Sequence, residues 1–212
     1  MSKPQGSNKA MFNATQQKFL DIAQISFIEK GYAATSTNDI VRDAQMARGA
    51  LYHHFKNKEA LFLAVYEEKM SDMHAQLLAA LEQSHAKGQS TPESDLLTSL
   101  HFIIDLFKDE SFRRILILEP LIALPYAKRR EVTRSFFNTL FVSFFTQLPN
   151  TRQSSEGHIN ALITGFYGFV AENCRNYESA ETPEQLEQFS ADTKTALDSF
   201  LIAFFKAAPN KH

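Results

Sequence analysis

Cysteine is nearly absent from this chain: Cys174 stands alone in 212 residues. A single thiol excludes an intrachain disulfide and a CxxC-type zinc site, and within a helical pattern it reads as a buried packing residue. Long apolar runs are missing too. Nothing approaches the roughly 18 residues of a membrane span, and residues 1–10 lack the apolar core of a secretory signal. These absences predict a cytoplasmic protein with no membrane partner. The seven glycines form no phosphate-cradling loop or dinucleotide fingerprint, and neither HExxH nor GxSxG occurs. The histidines show no metal-ligand spacing. Glu82-Gln83-Ser84-His85 supplies one Glu-x-x-His, where a carboxylate di-iron bundle needs two such motifs and two further glutamates. The pattern predicts no enzyme, no catalytic residue, no metal and no cofactor, with a carboxylate-metal helical bundle as the remote alternative.

What is present is an ordinary globular composition, 44% hydrophobic and 22% charged, with a net charge of −2. Its distribution is uneven. Residues 1–60 hold eight bases (Lys3, Lys9, Lys18, Lys30, Arg42, Arg48, Lys56, Lys58) against five acids (Asp21, Glu29, Asp39, Asp43, Glu59), which leaves 14 bases and 19 acids for the remainder. A weakly basic head on an acidic body suits a protein that turns one end toward phosphate.

Apolar residues recur at helical spacing almost throughout, and alternating β-branched runs bounded by turns are missing, so the fold class is all-α. The spacing predicts a first helix over 15–30, with Phe19, Leu20, Ala23 and Phe27 on one face and Gly31 as its stop. Ser36 and Asp39 have capping-box spacing ahead of a short helix carrying Ile40, Val41 and Ala44. A corner at Gln45-Met46 leads into a second short helix over 47–53, anchored by Leu51 and Phe55. Asn57 then caps a long helix over 58–84. Beyond a polar loop at 86–91, helices are expected at 93–108, 110–118, 127–147, 156–175 and 183–207, with Pro120 and Pro125 breaking the chain between 118 and 127. The domain reading is a flexible arm at 1–14, a three-helix domain at 15–57, a larger helical domain at 58–207 and a tail at 208–212.

The stretch from Thr37 to Leu61, and above all Tyr52-His53-His54-Phe55 followed by Asn57-Lys58-Glu59, resembles the signature of the TetR (tetracycline-repressor-like) family over about residues 15–65. The resemblance implies a helix-turn-helix whose second helix enters the major groove, a homodimer on a palindromic operator in double-stranded DNA, and a small-molecule inducer bound by the body. Independently of it, Ala47, Gly49 and Ala50 make a small outer face around one long cation, Arg48, suited to pairing with guanine O6 and N7. Tyr52, His54 and Lys58 match family positions that touch the DNA backbone. Thr37, with Asn38 beside it, stands where the preceding helix offers its N-terminus to phosphate, and His53 is a further candidate contact. Two residues depart from the family pattern. Gln45 stands in the turn where glycine is usual, at a cost of about 1–2 kcal/mol if the residue is left-handed. Ala47 replaces a Ser or Thr cap, forfeiting roughly 1 kcal/mol.

The body holds many of the chain's 19 Phe. His101, Phe102, Phe107, Phe112, Phe137, Phe141 and Tyr167 are the candidate lining of an apolar pocket and favour a hydrophobic or aromatic inducer; packing alone would account for any one of them. Glu119 and Tyr126 could add polar groups, although Glu119 and Arg113-Arg114 read equally well as surface ion pairs. Stripes bearing Ile159, Leu162, Phe166 and Phe169, and Phe189, Leu197, Phe200 and Phe204, predict a four-helix dimer interface, with an intrachain core as the alternative. Control by a protein partner in place of a small molecule is the competing functional reading.

Overall fold

In the computed structural model, which describes residues 5–88 and 90–206, the chain is helical with no strand among the described residues. The helices are α1 (Gln5–Ala34, broken at Gly31), α2 (Thr37–Asp43), α3 (Arg48–His54), α4 (Lys58–Ala86), α5 (Pro92–Leu106), α6 (Glu110–Arg113), α7 (Pro120–Ala123), α8 (Tyr126–Gln147), α9 (Glu156–Arg175) and α10 (Pro183–Lys206). The tail at 208–212 lies outside the described residues.

Local signals account for most boundaries. Gly31 has φ +77° and ends the continuous part of α1, a conformation that lacks a Cβ penalty only in glycine. The Thr91 hydroxyl accepts the Ser94 N–H while the Ser94 hydroxyl accepts that of Thr91, a capping box with Pro92 at the first helical position. Ser155 caps α9 by a one-way bond, its hydroxyl accepting the His158 N–H at 3.2 Å.

Two expectations are corrected. The arm at 1–14 is helical from Gln5 onward. Phe12 gives the extension a tertiary anchor, its ring centroid 4.1 Å from that of His54. Pro120 does not interrupt the chain but opens α7. Residues Arg114–Leu118 form a π-turn in which the Glu119 N–H reaches the Arg114 carbonyl at 2.9 Å, and this wider turn accommodates a ring that would strike the preceding turn of an α-helix.

The chain divides into two compact units. The first comprises the described residues up to Lys69 together with Arg114–Arg129. The domain boundary read at 57/58 is thereby moved, because the first turns of α4 complete this unit's core. Phe19, Phe27, Ile40, Leu61, Phe62 and Val65 are all at 0% exposure. The Phe27 and Phe62 rings meet edge to face at 5.1 Å. Burying each such side chain contributes about 1.5–3 kcal/mol. The π-turn and α7 pack on α1 within this unit.

The second unit comprises Met70–Arg113 and the described residues from Arg130 on. Here α10 packs on α5 and α9, burying Leu96, Leu100, Ile104, Val170, Cys174, Leu197 and Leu201. Desolvation pushes the Cys174 thiol up to about 12, consistent with an unreactive packing residue. Asp105 lies beside Lys194 and Lys108, whose hydrogen bonds and charge hold its carboxyl below the usual range against the opposing effect of burial. The expected surface role of Arg113 is corrected. Its guanidinium is buried, donating to Glu178 at 2.6 Å and to the Phe107 carbonyl at 2.9 Å at the end of α5.

Candidate nucleic-acid interface

The arrangement begins with α2. Its cap, Ser36, accepts the Asp39 N–H at 3.1 Å and donates its hydroxyl to the Asp39 carboxylate at 2.6 Å, which lowers the pKa of that carboxyl. At the other end the helix closes in a Schellman motif. The Met46 N–H bonds the Val41 carbonyl at 3.2 Å and the Gln45 N–H bonds that of Arg42 at 2.9 Å. The motif requires a left-handed residue at Gln45, and φ there is +53°. Gln45 therefore carries the strain that its departure from glycine implies. Ala47, extended at φ −72° and ψ 142°, starts α3 with no side-chain hydrogen bond, so the expected loss of a cap is also realised.

This turn sets α3 with Leu51 and Phe55 buried and Arg48, Gly49, Tyr52 and His53 exposed, while Ala50 is half-buried at the margin. The Arg48 guanidinium stands 5.5 Å from the Tyr52 ring centroid, one helical turn away. The Tyr52 hydroxyl is 3.2 Å from the Thr37 hydroxyl, which ties the recognition face to the start of α2. Hydrogen bonds from Thr37 and then Arg48 lower the Tyr52 pKa. A Cβ added to Gly49 would meet nothing within 4 Å, so α3 presents bare backbone there. Asn38 is exposed beside Thr37. Thr37, Tyr52 and Arg48 are thus brought together, while Asn38, Gly49 and His53 are exposed on the same two helices, the His53 ring 5.7 Å from that of Phe12.

Two predicted contacts face elsewhere. His54 follows buried Leu51 by three residues and so shares its inward side. Its ring lies against Phe12, its Nδ1 is buried without a hydrogen-bond partner, and desolvation lowers its pKa. Lys58 points its ammonium back at α1. It donates to the carbonyls of Tyr32 at 2.8 Å and Thr35 at 2.9 Å, with the Tyr32 ring centroid 4.2 Å away. In this structure Lys58 is a clamp on the loop before α2. Sequence reasoning did not identify the residues that hold this loop from the other side: Tyr32 and Glu119 lie 87 positions apart, and no local pattern links them.

The candidate pocket residues fall in the second unit. Phe107, Phe112, Phe137 and Phe141 are buried and Phe102 is half-buried. His101 pairs with Asp198 at 2.7 Å, and Tyr167 is exposed. The half-motif histidine, His85, pairs with Asp95 at 2.7 Å. Among the described residues no helix is long and apolar enough to cross a membrane.

Residues 19–65 match the model described as bacterial regulatory proteins, tetR family. The chain is 27% identical over 183 residues to the transposon Tn10 TetC protein of Escherichia coli, spanning 85% of this chain and 89% of that protein. A TetR-family transcriptional regulator from Pectobacterium atrosepticum superposes with a TM-score of 0.62 at 24% identity, covering 91% of this chain and 94% of that one. FadR of Bacillus subtilis, solved in complex with stearoyl-CoA, superposes with a TM-score of 0.67 at 19% identity, over 85% of this chain and 96% of that one. The two superpositions are likenesses of fold. A helix-turn-helix with an open recognition face on an all-helical chain defines a DNA-binding transcriptional regulator. Over residues 19–65 the chain carries the domain described for the tetR family of bacterial regulatory proteins.

Proposed function

We propose that this regulator is a homodimeric repressor that binds a palindromic operator and is released from it by a hydrophobic or aromatic small molecule. The observation that carries the DNA-binding part is the joining of Thr37, Tyr52 and Arg48 across the turn, with Asn38, Gly49 and His53 exposed on the same two helices. Arg48 reads a base edge, the Tyr52 and Thr37 hydroxyls bond phosphate, and Gly49 permits close backbone approach. Lys58 and His54 act from behind this surface, the first by holding the loop before α2 and the second by packing α3 on α1.

Support for dimerisation comes from what α9 and α10 leave uncovered. Phe200 is 60% exposed and Ile202 53%, and the Phe169 ring lies 5.4 Å from that of Phe200. Leu162, Phe166, Phe189 and Phe204 are half-buried in the same two helices. Ile159 and Leu197 are withdrawn from the predicted interface, because both face the chain's own core at 4% and 0% exposure. Support for an apolar inducer comes from the Phe-rich second unit, and from the stearoyl-CoA bound by FadR, a protein of similar fold.

The test is fluorescence anisotropy with a duplex selected from a randomised pool by the wild-type protein. Specific binding in the range of about 10⁻⁸–10⁻¹¹ M is expected, weakened by salt and by Arg48→Ala or Tyr52→Ala. No selected consensus, or a consensus bound equally well by both variants, would refute the assignment of the surface. Release of the duplex by long-chain acyl or aromatic compounds, screened by thermal shift, tests the inducer class.

A further inference from the structure

The loop that delivers the chain from α1 into α2 is held by three independent ties. The Thr35 hydroxyl donates to the carbonyls of Gly31 at 2.8 Å and Ser26 at 3.0 Å. The Lys58 ammonium donates to those of Tyr32 and Thr35. The third tie comes from far along the chain: a Glu119 carboxylate oxygen accepts the Tyr32 N–H at 2.7 Å. Glu119 is buried, with 9% of its side chain exposed, and its other oxygen lies 3.7 Å from the Arg114 guanidinium. The expected reading of Glu119 as a surface ion-pair residue is corrected accordingly.

The fit is close. Glu119 Oε1 lies 3.2 Å from where a Cβ on Gly31 would stand, so glycine gives the carboxylate its place undisplaced while adopting φ +77° without strain. The π-turn over Arg114–Leu118 contributes the aim. One extra residue in a helical turn rotates everything after it by about 100° relative to a plain α-helix. The Tyr32 backbone is therefore held at both of its flanking peptide bonds, the N–H by an anion and the carbonyl by the Lys58 cation. Two residues past Lys58's second acceptor, Thr35, stands Thr37, bonded to Tyr52 of the recognition helix.

We propose that Glu119 is a positioning residue for DNA binding: through the Tyr32 N–H, and together with Lys58 on the Tyr32 carbonyl, it fixes the loop that sets Thr37 and Tyr52 on the phosphate backbone. This rests on the DNA-binding reading above and assigns to the Arg114–Arg129 segment the task of holding the reading surface in register. A change in the π-turn that withdrew Glu119 would release the loop without touching any residue that meets DNA.

The experiment compares Glu119→Gln, Glu119→Asp and Glu119→Leu with wild type. The carboxamide of Gln keeps an acceptor for the Tyr32 N–H, the Asp carboxylate is one methylene short of it, and Leu has none. Affinity for the selected duplex and its salt slope are read by anisotropy below the melting range, and Tyr32 amide exchange by NMR. The expected result is Gln within about threefold of wild type, and Asp and Leu both weakened about tenfold or more, which corresponds to about 1.4 kcal/mol per factor of ten. Asp and Leu are also expected to show a shallower salt slope and a faster-exchanging Tyr32 amide. A general loss of stability would leave the salt slope of the folded fraction unchanged and would not be rescued by Gln. Asp behaving as wild type while Gln fails would overturn the proposal in favour of the charge itself, and an unchanged salt slope in Leu would overturn it outright. If Leu does not fold, the Gln and Asp comparison decides. If wild type binds no duplex, the DNA-binding reading fails, while the exchange of Tyr32 still reports whether the tie exists.

Discussion

Gln45→Gly is the substitution whose outcome follows most directly from the backbone. The residue sits at φ +53°, where an L side chain costs about 1–2 kcal/mol and glycine nothing. Against that gain stands the greater freedom glycine confers on the unfolded chain, about 0.4–1 kcal/mol. Gln45 is exposed, so little packing is lost. The net expectation is a stabilisation of about 0.5–1 kcal/mol, or roughly 1–4 °C in melting temperature for a chain of this size. Urea denaturation at fixed protein concentration measures it, with Gln45→Ala as control. Alanine keeps the Cβ and should not stabilise. DNA affinity should stay within about threefold, because both hydrogen bonds of the Schellman motif are main-chain. Equal stability of the Gly and Ala variants, or a Gly variant less stable than wild type, would refute the claim that Gln45 stores left-handed strain.

Four further outcomes are expected. Ala47→Ser restores the missing cap of α3 and should stabilise by about 1 kcal/mol in the same urea assay. Gly49→Ala should raise stability by up to about 1 kcal/mol, since its Cβ meets nothing, yet weaken binding to the selected duplex if α3 closes on the bases; anisotropy and denaturation together check the opposed signs. His54 has a lowered pKa from desolvation and from the neighbouring His53, so on acidification the unfolded chain takes its proton first. Stability should therefore fall as pH drops below about 6.5 toward the folded value, and Phe at position 54 should flatten that part of the pH profile. Phe200→Glu puts a charge on the exposed apolar face of α10 and should shift sedimentation from dimer to monomer; a monomeric wild type would remove the proposed interface.

Sequence determined this protein wherever the governing rule is local. Helix periodicity, the caps at Ser36 and Asn57, the prolines at 92 and 183 and the glycine at 31 act within about one helical turn, so the all-α class and most helix boundaries were legible without coordinates. The turn after α2 was legible too, since a left-handed position and a missing cap are properties of single residues. Tertiary structure alone decided which side each candidate faces and what it meets. His54 turned inward because Leu51 one turn earlier is buried, and Ile159 and Leu197 joined the chain's own core while Phe200 stayed outside. Lys58 reaches carbonyls 23 to 26 positions away, and Glu119 an amide 87 positions away. Partners at such separations are chosen by packing and by the rotation a π-turn imposes, and neither leaves a period or a spacing in the sequence.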